Sequence, residues 1–130
     1  MPFSDSNKKI ENGKVKPLVY SCSGCSSAAQ MANYIAIKLD RQKIAEMSCI
    51  AGVGGSVRSL VKVAKSGRPI VAIDGCPLAC VKACLKMHNV NPDDHIILTD
   101  LGVKKMNGLD FDIKEAKNLL KKIVNDNITV

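Results

Sequence analysis

Short apolar segments alternate with amphipathic helical patterns along this chain, and no other feature restricts its fold as strongly. Four apolar segments have the length and composition of strands, and they are residues 16–22, 43–50, 69–72 and 95–100. Each is followed by apolar residues at helical spacing, in stretches predicted to begin at Ser27, Ser56, Cys76 and Asp112. Such alternation builds a parallel sheet with helices on both faces. We therefore predict an α/β fold: a single three-layer α/β/α domain over residues 17–130 with a four-stranded, mostly parallel sheet of flavodoxin or Rossmann type, in the strand order 2-1-3-4.

The chain of 130 residues is long enough for one domain with a substantial core. Residues 1–16 are polar and rich in lysine, and we expect them to form a flexible basic arm. No apolar run reaches the length of a membrane span, and the first residues lack the apolar region of a signal peptide. We therefore expect a cytoplasmic protein that makes no contact with the membrane.

The net charge of +7 raises the question of a nucleic-acid partner. The chain has two tyrosines, two phenylalanines and no tryptophan, and it shows no RNA-binding signature or DNA-reading helix. A solvated basic surface explains the charge, so nucleic acid is not expected. The partner is unknown from the sequence, and a protein or a small ligand that carries a thiol or a metal is compatible with it.

Six cysteines are the chemically informative residues of this sequence. In a reducing compartment they favour metal binding or redox chemistry over a framework of disulfides. Cys22, Cys49 and Cys76 each follow a predicted strand, at equal intervals along the chain. Because the carboxyl ends of parallel strands share one edge of a sheet, we expect these thiols to converge there. Cys80 is the natural fourth member, one turn into a helix that we expect to begin with Cys76 as N-cap and Pro77 at its first position.

Four converging thiolates suit a tetrahedral site for a soft metal ion, and zinc is the default. An iron–sulfur cluster would use the same ligands, which leaves an electron carrier as a weaker alternative. The simpler explanation of any single cysteine is that buried thiols act as small apolar side chains. We favour the metal site because three cysteines follow predicted strands and the chain also contains two closely spaced cysteine pairs.

Two cysteines remain outside this set of four. Cys25 forms a CxxC pair with Cys22, the arrangement of a thioredoxin-like redox site, and it could also substitute for one of the four ligands. Cys84 lies a further turn along its helix, away from the thiol edge, and is predicted to be a core thiol. A thiol redox enzyme or carrier that uses Cys22 with Cys25, or Cys76 with Cys80, is therefore the second hypothesis. Whether the protein is an enzyme stays open, and no catalytic residue is identified.

A glycine-rich segment with Gly52, Gly54 and Gly55 follows the second predicted strand. We expect a tight loop that lets the backbone pass close to the thiols. These glycines could alternatively bind a small anion through backbone N–H groups, assisted by Lys104 and Lys105. The segment lacks the third glycine of a dinucleotide fingerprint and the Gly-Lys-Ser/Thr of a P-loop.

Two carboxylates end strands at the same predicted edge. Asp74 precedes Cys76 by two residues, and Asp100 closes the fourth strand. Either could support a metal ligand through a hydrogen bond or act as a general base, although carboxylates at strand ends more often serve turns and caps. His88 and His95 flank a loop at the opposite edge and are predicted to be structural or solvated.

Several stretches of the sequence share the pattern of a known family. They are residues 73–80, which read IDGCPLAC, together with residues 21–24, 47–54 and 98–105. The chain resembles the DGC-domain family of bacteria and archaea over most of residues 17–105. That resemblance implies zinc binding, inferred for the family from chelating cysteines, and no established reaction. The family pattern centres on four cysteines, which correspond here to Cys22, Cys49, Cys76 and Cys80, whereas Cys25 and Cys84 are additional to it.

Overall fold

A computed structural model describes residues 10–11 and 14–126 of the chain, with side chains from residue 15 onward. The α/β fold predicted from the sequence is confirmed. The strands are, in chain order, Ile10–Glu11 (β1), Lys14–Val15 (β2), Leu18–Ser21 (β3), Glu46–Met47 (β4), Ile70–Asp74 (β5) and Asp94–Ile97 (β6). The helices are Ser27–Arg41 (α1), Ile50–Gly54 (α2), Arg58–Ala64 (α3), Cys80–Lys86 (α4) and Ile113–Asp126 (α5), and a 3-10 turn spans Leu98–Leu101.

Four of these strands form one sheet in which every neighbouring pair is parallel. Their order, β4-β3-β5-β6, is the predicted 2-1-3-4 order of the four sheet strands. The two middle strands, β3 and β5, are buried along their whole length, as expected for strands covered by helices on both faces. All four strands end at the same side of the sheet, which we call the carboxyl edge.

Helices cover both faces of this sheet. Successive side chains of a strand point to opposite faces. The Ser21 hydroxyl donates to Asn33 of α1 at 3.4 Å, so α1 covers the face that carries Ser21 and its strand neighbour Ile73. Asp74 points to the other face, where it bonds the first turn of α4. α5 packs on α1, and α2 packs on α3 and α4, which completes the three layers.

The predicted flexible arm lies partly outside the described residues, which omit 1–9 and 12–13. Within it, Ile10–Glu11 pairs antiparallel with Lys14–Val15 as a separate two-stranded ribbon. Residues 127–130 of the predicted domain also lie outside the described range. No helix in the described part of the chain is long and apolar enough to span a membrane.

The structure corrects the predicted loop at Gly52, Gly54 and Gly55. Residues 50–54 instead form α2, with Cys49 as its N-cap. A Cβ on Gly52 would overlap a terminal methyl carbon of Leu60, so this glycine allows α2 to pack closely against α3. The second predicted strand is also shorter than expected and spans only Glu46–Met47. The fourth ends at Ile97, because the chain then enters the 3-10 turn.

A buried ion pair lies at the amino edge, where the sheet strands begin. Arg68 Nη1 lies 3.0 Å from Glu46 Oε1, and the two side chains are only 1% and 10% exposed. The guanidinium also donates to the Lys16 carbonyl through Nε at 3.2 Å and Nη2 at 2.9 Å. These contacts join the short edge strand β4 to the chain just before β3 and β5.

Tyr20 is fully buried in β3 and allows a pH-dependent test of this core. Burial raises the pKa of its phenol above the ordinary value of 10.0. The nearby Ser48 hydroxyl and Arg68 guanidinium oppose that rise in pKa, and negative charge on Cys49 adds to it. The folded state therefore holds this proton more tightly than the unfolded state does.

The contribution of Tyr20 to stability should therefore be fully present below pH 10. Above that value the free energy of unfolding should fall as the pH rises, by at most about 1.4 kcal/mol per pH unit for this group. In a Tyr34→Phe variant, where Tyr20 is the remaining tyrosine, the tyrosinate absorbance should titrate with a midpoint above pH 10. Adding Tyr20→Phe to that variant should remove the tyrosinate signal. A midpoint at or below 10 in the folded protein would contradict the burial argument.

Candidate thiol site at the carboxyl edge

Cys22 follows β3 directly and is 9% exposed at the carboxyl edge. The backbone N–H of Gly75, just after β5, donates to Cys22 Sγ at 3.2 Å. Burial raises the pKa of the Cys22 thiol, and the Gly75 N–H opposes this rise. Negative charge on Asp74, Cys80 and Cys76 raises that pKa further. The Gly75 N–H thus ties Cys22 to the turn that leads through Cys76 to Cys80.

Cys76 is not a helix N-cap, which corrects the sequence prediction. α4 begins at Cys80, and residues 75–79 form the turn between β5 and this helix. The N-cap residue is Ala79, whose φ of 53° places it in the left-handed region. Cys76 is half-buried, and its Sγ accepts a hydrogen bond from Lys105 Nζ at 3.4 Å. The turn therefore presents Cys76 toward a lysine, and Cys80 alone of these two thiols stands on the first turn of the helix.

Asp74 performs the capping that the sequence assigned to Cys76. It is 1% exposed, and its Oδ1 accepts from the Val81 N–H at 2.8 Å. Its Oδ2 accepts from the Lys82 N–H at 3.4 Å and is bonded to His95 Nε2 at 2.8 Å. Because its oxygens hold α4 against β6, a structural role explains this carboxylate better than a role as general base.

The remaining polar residues named from the sequence lie in different places. His95 is half-buried and reaches Asp74 at the carboxyl edge instead of facing away from it. His88 contacts the Val53 carbonyl through Nε2 at 2.9 Å, in keeping with a structural role. Asp100 is exposed in the 3-10 turn and not at the end of a strand.

Cys49 follows β4 and caps α2 at the same edge of the sheet. Its exposed side chain accepts a hydrogen bond at Sγ from the Gly52 N–H at 3.4 Å. The sulfur atoms of Cys49 and Cys22 thus each accept a hydrogen bond from a backbone N–H. Within the described range, however, no three Cys, His, Asp or Glu side chains stand close enough together to hold a metal ion. The thiols share an edge of the sheet without forming a ligand shell in this arrangement.

Cys25 is exposed in the loop between β3 and α1, and a second segment is bound along this loop. The Cys25 carbonyl accepts from the Gly108 N–H at 3.1 Å. The Ser27 N–H donates to the Met106 carbonyl at 2.9 Å, and the Ser27 hydroxyl accepts from the Met106 N–H at 3.0 Å. These bonds position Lys105 beside Cys76. The sequence shows the lysine pair at 104 and 105 but does not indicate that Lys105 contacts Cys76.

Cys84 is half-buried on α4, where it packs against α2. A Cβ built on Gly54 would lie 2.9 Å from Cys84 Sγ, so the glycine leaves room for the sulfur. Burial raises the pKa of the Cys84 thiol, and negative charge on Cys80 and Asp74 adds to this. Cys84 therefore acts as a packing residue between two helices. It was predicted to be a core thiol, and it is half-buried.

Gly54→Ala should destabilise the fold by about 1–3 kcal/mol, because the new methyl overlaps the Cys84 sulfur. In a Cys84→Ala background the same change should be neutral or stabilising, since the overlap is gone and alanine favours helix over glycine by about 1 kcal/mol. Urea unfolding under reducing conditions measures both free energies. An equal cost in the two backgrounds would show that Cys84 is not the neighbour that matters.

Comparison with known proteins gives a family match and a curated relative. A family model described as the DGC domain matches residues 18–123, a range that contains all six cysteines. A curated relative from Pseudomonas aeruginosa strain PAO1, the anaerobic and virulence modulator AnvM, is 58% identical over 103 residues. The alignment covers 79% of this chain and 79% of the relative. No solved structure matches the chain.

Proposed function

Because the chain belongs to the DGC-domain family, we propose that it binds zinc through cysteine thiolates at the carboxyl edge of the sheet. The ligands we propose are Cys22, Cys49, Cys76 and Cys80. The observation that carries the proposal is the hydrogen bond from the Gly75 N–H to Cys22 Sγ, which ties Cys22 to the turn that leads through Cys76 to Cys80, in another part of the chain. When bound, zinc would hold thiolates in a closed tetrahedral set.

The surroundings of these thiols supply positive charge and hydrogen-bond donors. The N–H groups of Gly75 and Gly52 face Cys22 and Cys49, and the Lys105 ammonium faces Cys76. Donors of this kind stabilise sulfur in its negatively charged form, which is the form that coordinates metal. The donor chemistry therefore fits zinc, and the side chains must still draw together to complete a ligand set.

Cys76 and Cys80 are well placed for such an adjustment. Cys76 lies in the turn of residues 75–79 and Cys80 at the first position of α4, whereas Asp74 holds the following residues of the helix to the sheet. Cys25, exposed on the neighbouring loop, is the substitute ligand that we propose should Cys49 stay at its cap.

Metal analysis of protein purified without air and without chelators tests this proposal. We expect about one zinc per chain, as a closed tetrathiolate site requires. Cys76→Ser should lose both the zinc and the protection of the remaining thiols against alkylation. Cys84→Ser is the matched control and should keep both. Metal-free protein with freely reacting thiols would contradict the zinc site, and a brown, iron-containing protein would replace it with a cluster.

A thiol redox function is the second candidate, and the contact between Lys105 Nζ and Cys76 Sγ favours it. A nearby ammonium stabilises a thiolate that attacks disulfides. The name of the relative, an anaerobic and virulence modulator, suggests that a related role here would involve a response to oxygen. A reversible disulfide between Cys22 and Cys25, or between Cys76 and Cys80, found by mass spectrometry in metal-free protein would support this candidate over zinc.

Either function requires reduced thiols, so we propose that the protein works in the cytoplasm. A protein partner, or a small ligand that carries a thiol or a metal, is proposed to read or supply the site.

A further inference from the structure

A groove lies between α1 and α5, on the helical layer away from the thiol site. Its volume is about 540 Å³, within the range of roughly 300–1,000 Å³ typical of small-molecule sites. We define this α1–α5 groove by three lysines and three apolar residues, which are Lys38, Lys117, Lys121, Ile44, Leu120 and Val124.

The charges around the α1–α5 groove all have one sign. Lys117 and Lys121 are four residues apart on α5, so they share a helix face, and such like-charged pairs repel each other. Lys38 faces them from α1, with its Nζ 5.4 Å from the centre of the Tyr34 ring. No Asp or Glu of the described chain lines the groove. An anion placed between these ammonium groups would relieve their repulsion.

The floor of the groove is apolar. Leu120 is buried, and Ile44 and Val124 are half-buried and pack against the core. Tyr34 contributes an aromatic wall that is held by Phe111, with ring centres 5.3 Å apart. A ligand that fits must therefore combine an anionic head with an apolar body.

We propose that the α1–α5 groove binds a small anionic amphiphile, with a carboxylate between the lysines and an aliphatic chain along the floor. Charge complementarity selects the head group, and the apolar floor selects the chain. The groove has the volume of a small-molecule site, which favours such a ligand over an acidic helix of a protein partner. This inference is independent of the thiol site, because none of the cysteines lines the groove.

Decanoate is the probe that tests this proposal, with decyltrimethylammonium as the matched cation of the same chain length. We expect decanoate to shift amide NMR signals of α1 and α5 and the cation to leave them unchanged. Lys117→Gln with Lys121→Gln should weaken decanoate binding by about tenfold. Lys114→Gln with Lys122→Gln, an equal loss of charge outside the groove on the same helix, should leave the affinity unchanged.

Val124→Ser should weaken decanoate by about fivefold, because it removes part of the apolar floor. Equal binding of the cation and the anion, or equal weakening by the two lysine pairs, would overturn the proposal. So would the absence of decanoate binding together with NMR shifts at the same residues by an acidic amphipathic peptide, which would assign the groove to a protein partner.

Discussion

Arg68→Met should destabilise the fold by about 3–5 kcal/mol, the cost typical of breaking a buried ion pair on one side. The substitution leaves the Glu46 carboxylate buried without its 3.0 Å guanidinium partner. It also removes two hydrogen bonds to the Lys16 carbonyl. Since a domain is usually stable by about 5–15 kcal/mol, this single change would consume a large share of the total. Urea unfolding monitored by circular dichroism gives the free energy directly.

Two further variants separate the ion pair from the side chain itself. Arg68→Met combined with Glu46→Leu should recover much of the loss, because no charge then remains buried. Arg41→Met is the surface control: its partner Asp40 is adjacent on the chain, and the arginine side chain is 69% exposed. That change should cost about 0–1 kcal/mol. If the double variant loses as much free energy of unfolding as Arg68→Met and Glu46→Leu lose together when made singly, the pairing is not the cause.

Gly75→Ala should destabilise the protein by about 3 kcal/mol, at the upper end of the cost of overpacking. A Cβ at this position would lie 2.7 Å from the carbonyl carbon of Ala28 and 2.8 Å from the Ala29 nitrogen. Both atoms belong to the α1 backbone, which cannot rotate away as a flexible side chain can. Gly75 also donates its N–H to Cys22 Sγ and so lowers the pKa of this thiol. Displacement of that donor in the variant should raise the pKa and slow the reaction of Cys22 with alkylating reagents in the folded protein.

Ala79→Gly, in the same turn, is the matched comparison with the opposite expectation. Ala79 occupies the left-handed region, which costs a non-glycine residue about 1–2 kcal/mol. Glycine removes that cost and adds about 0.4–1 kcal/mol of chain entropy in the unfolded state, so the net effect should be neutral or slightly stabilising. If the two substitutions destabilise equally, general sensitivity of the turn and not backbone overlap would explain Gly75.

The alternation of strands and helices was sufficient to predict the layers, the parallel sheet and the strand order. These follow from periodicity, since buried strands and amphipathic helices repeat in a regular order and crossovers have one hand. Segment ends were less predictable. Gly52 suggested a turn from its residue type, but close contact with Leu60 decides its role. The sequence cannot show which neighbouring atoms would contact a side chain placed at a glycine.

At the thiol site, the chain pattern placed Cys22 and Cys49 at strand ends correctly, and it missed the start of α4. Cys76 followed by Pro77 is a common helix opening, but Asp74 reaches across to cap the helix four residues later. Lys105 was also not predicted to contact a thiol. It reaches Cys76 because the chain around it is bonded to the loop at Ser27, a tertiary contact that no local pattern encodes.

The bond from Gly75 to Cys22 spans 53 residues, and this has a consequence for how the protein is made. Cys22, Cys25 and Cys49 leave the ribosome before β5 does, because they precede it in the chain. Pairing of such distant parallel segments is slow compared with local helix formation. The nascent chain therefore presents these thiols to the cell before the strand that encloses Cys22 can dock. Cys22 is therefore more accessible to reagents during that interval than in the completed domain, where it is buried at the carboxyl edge.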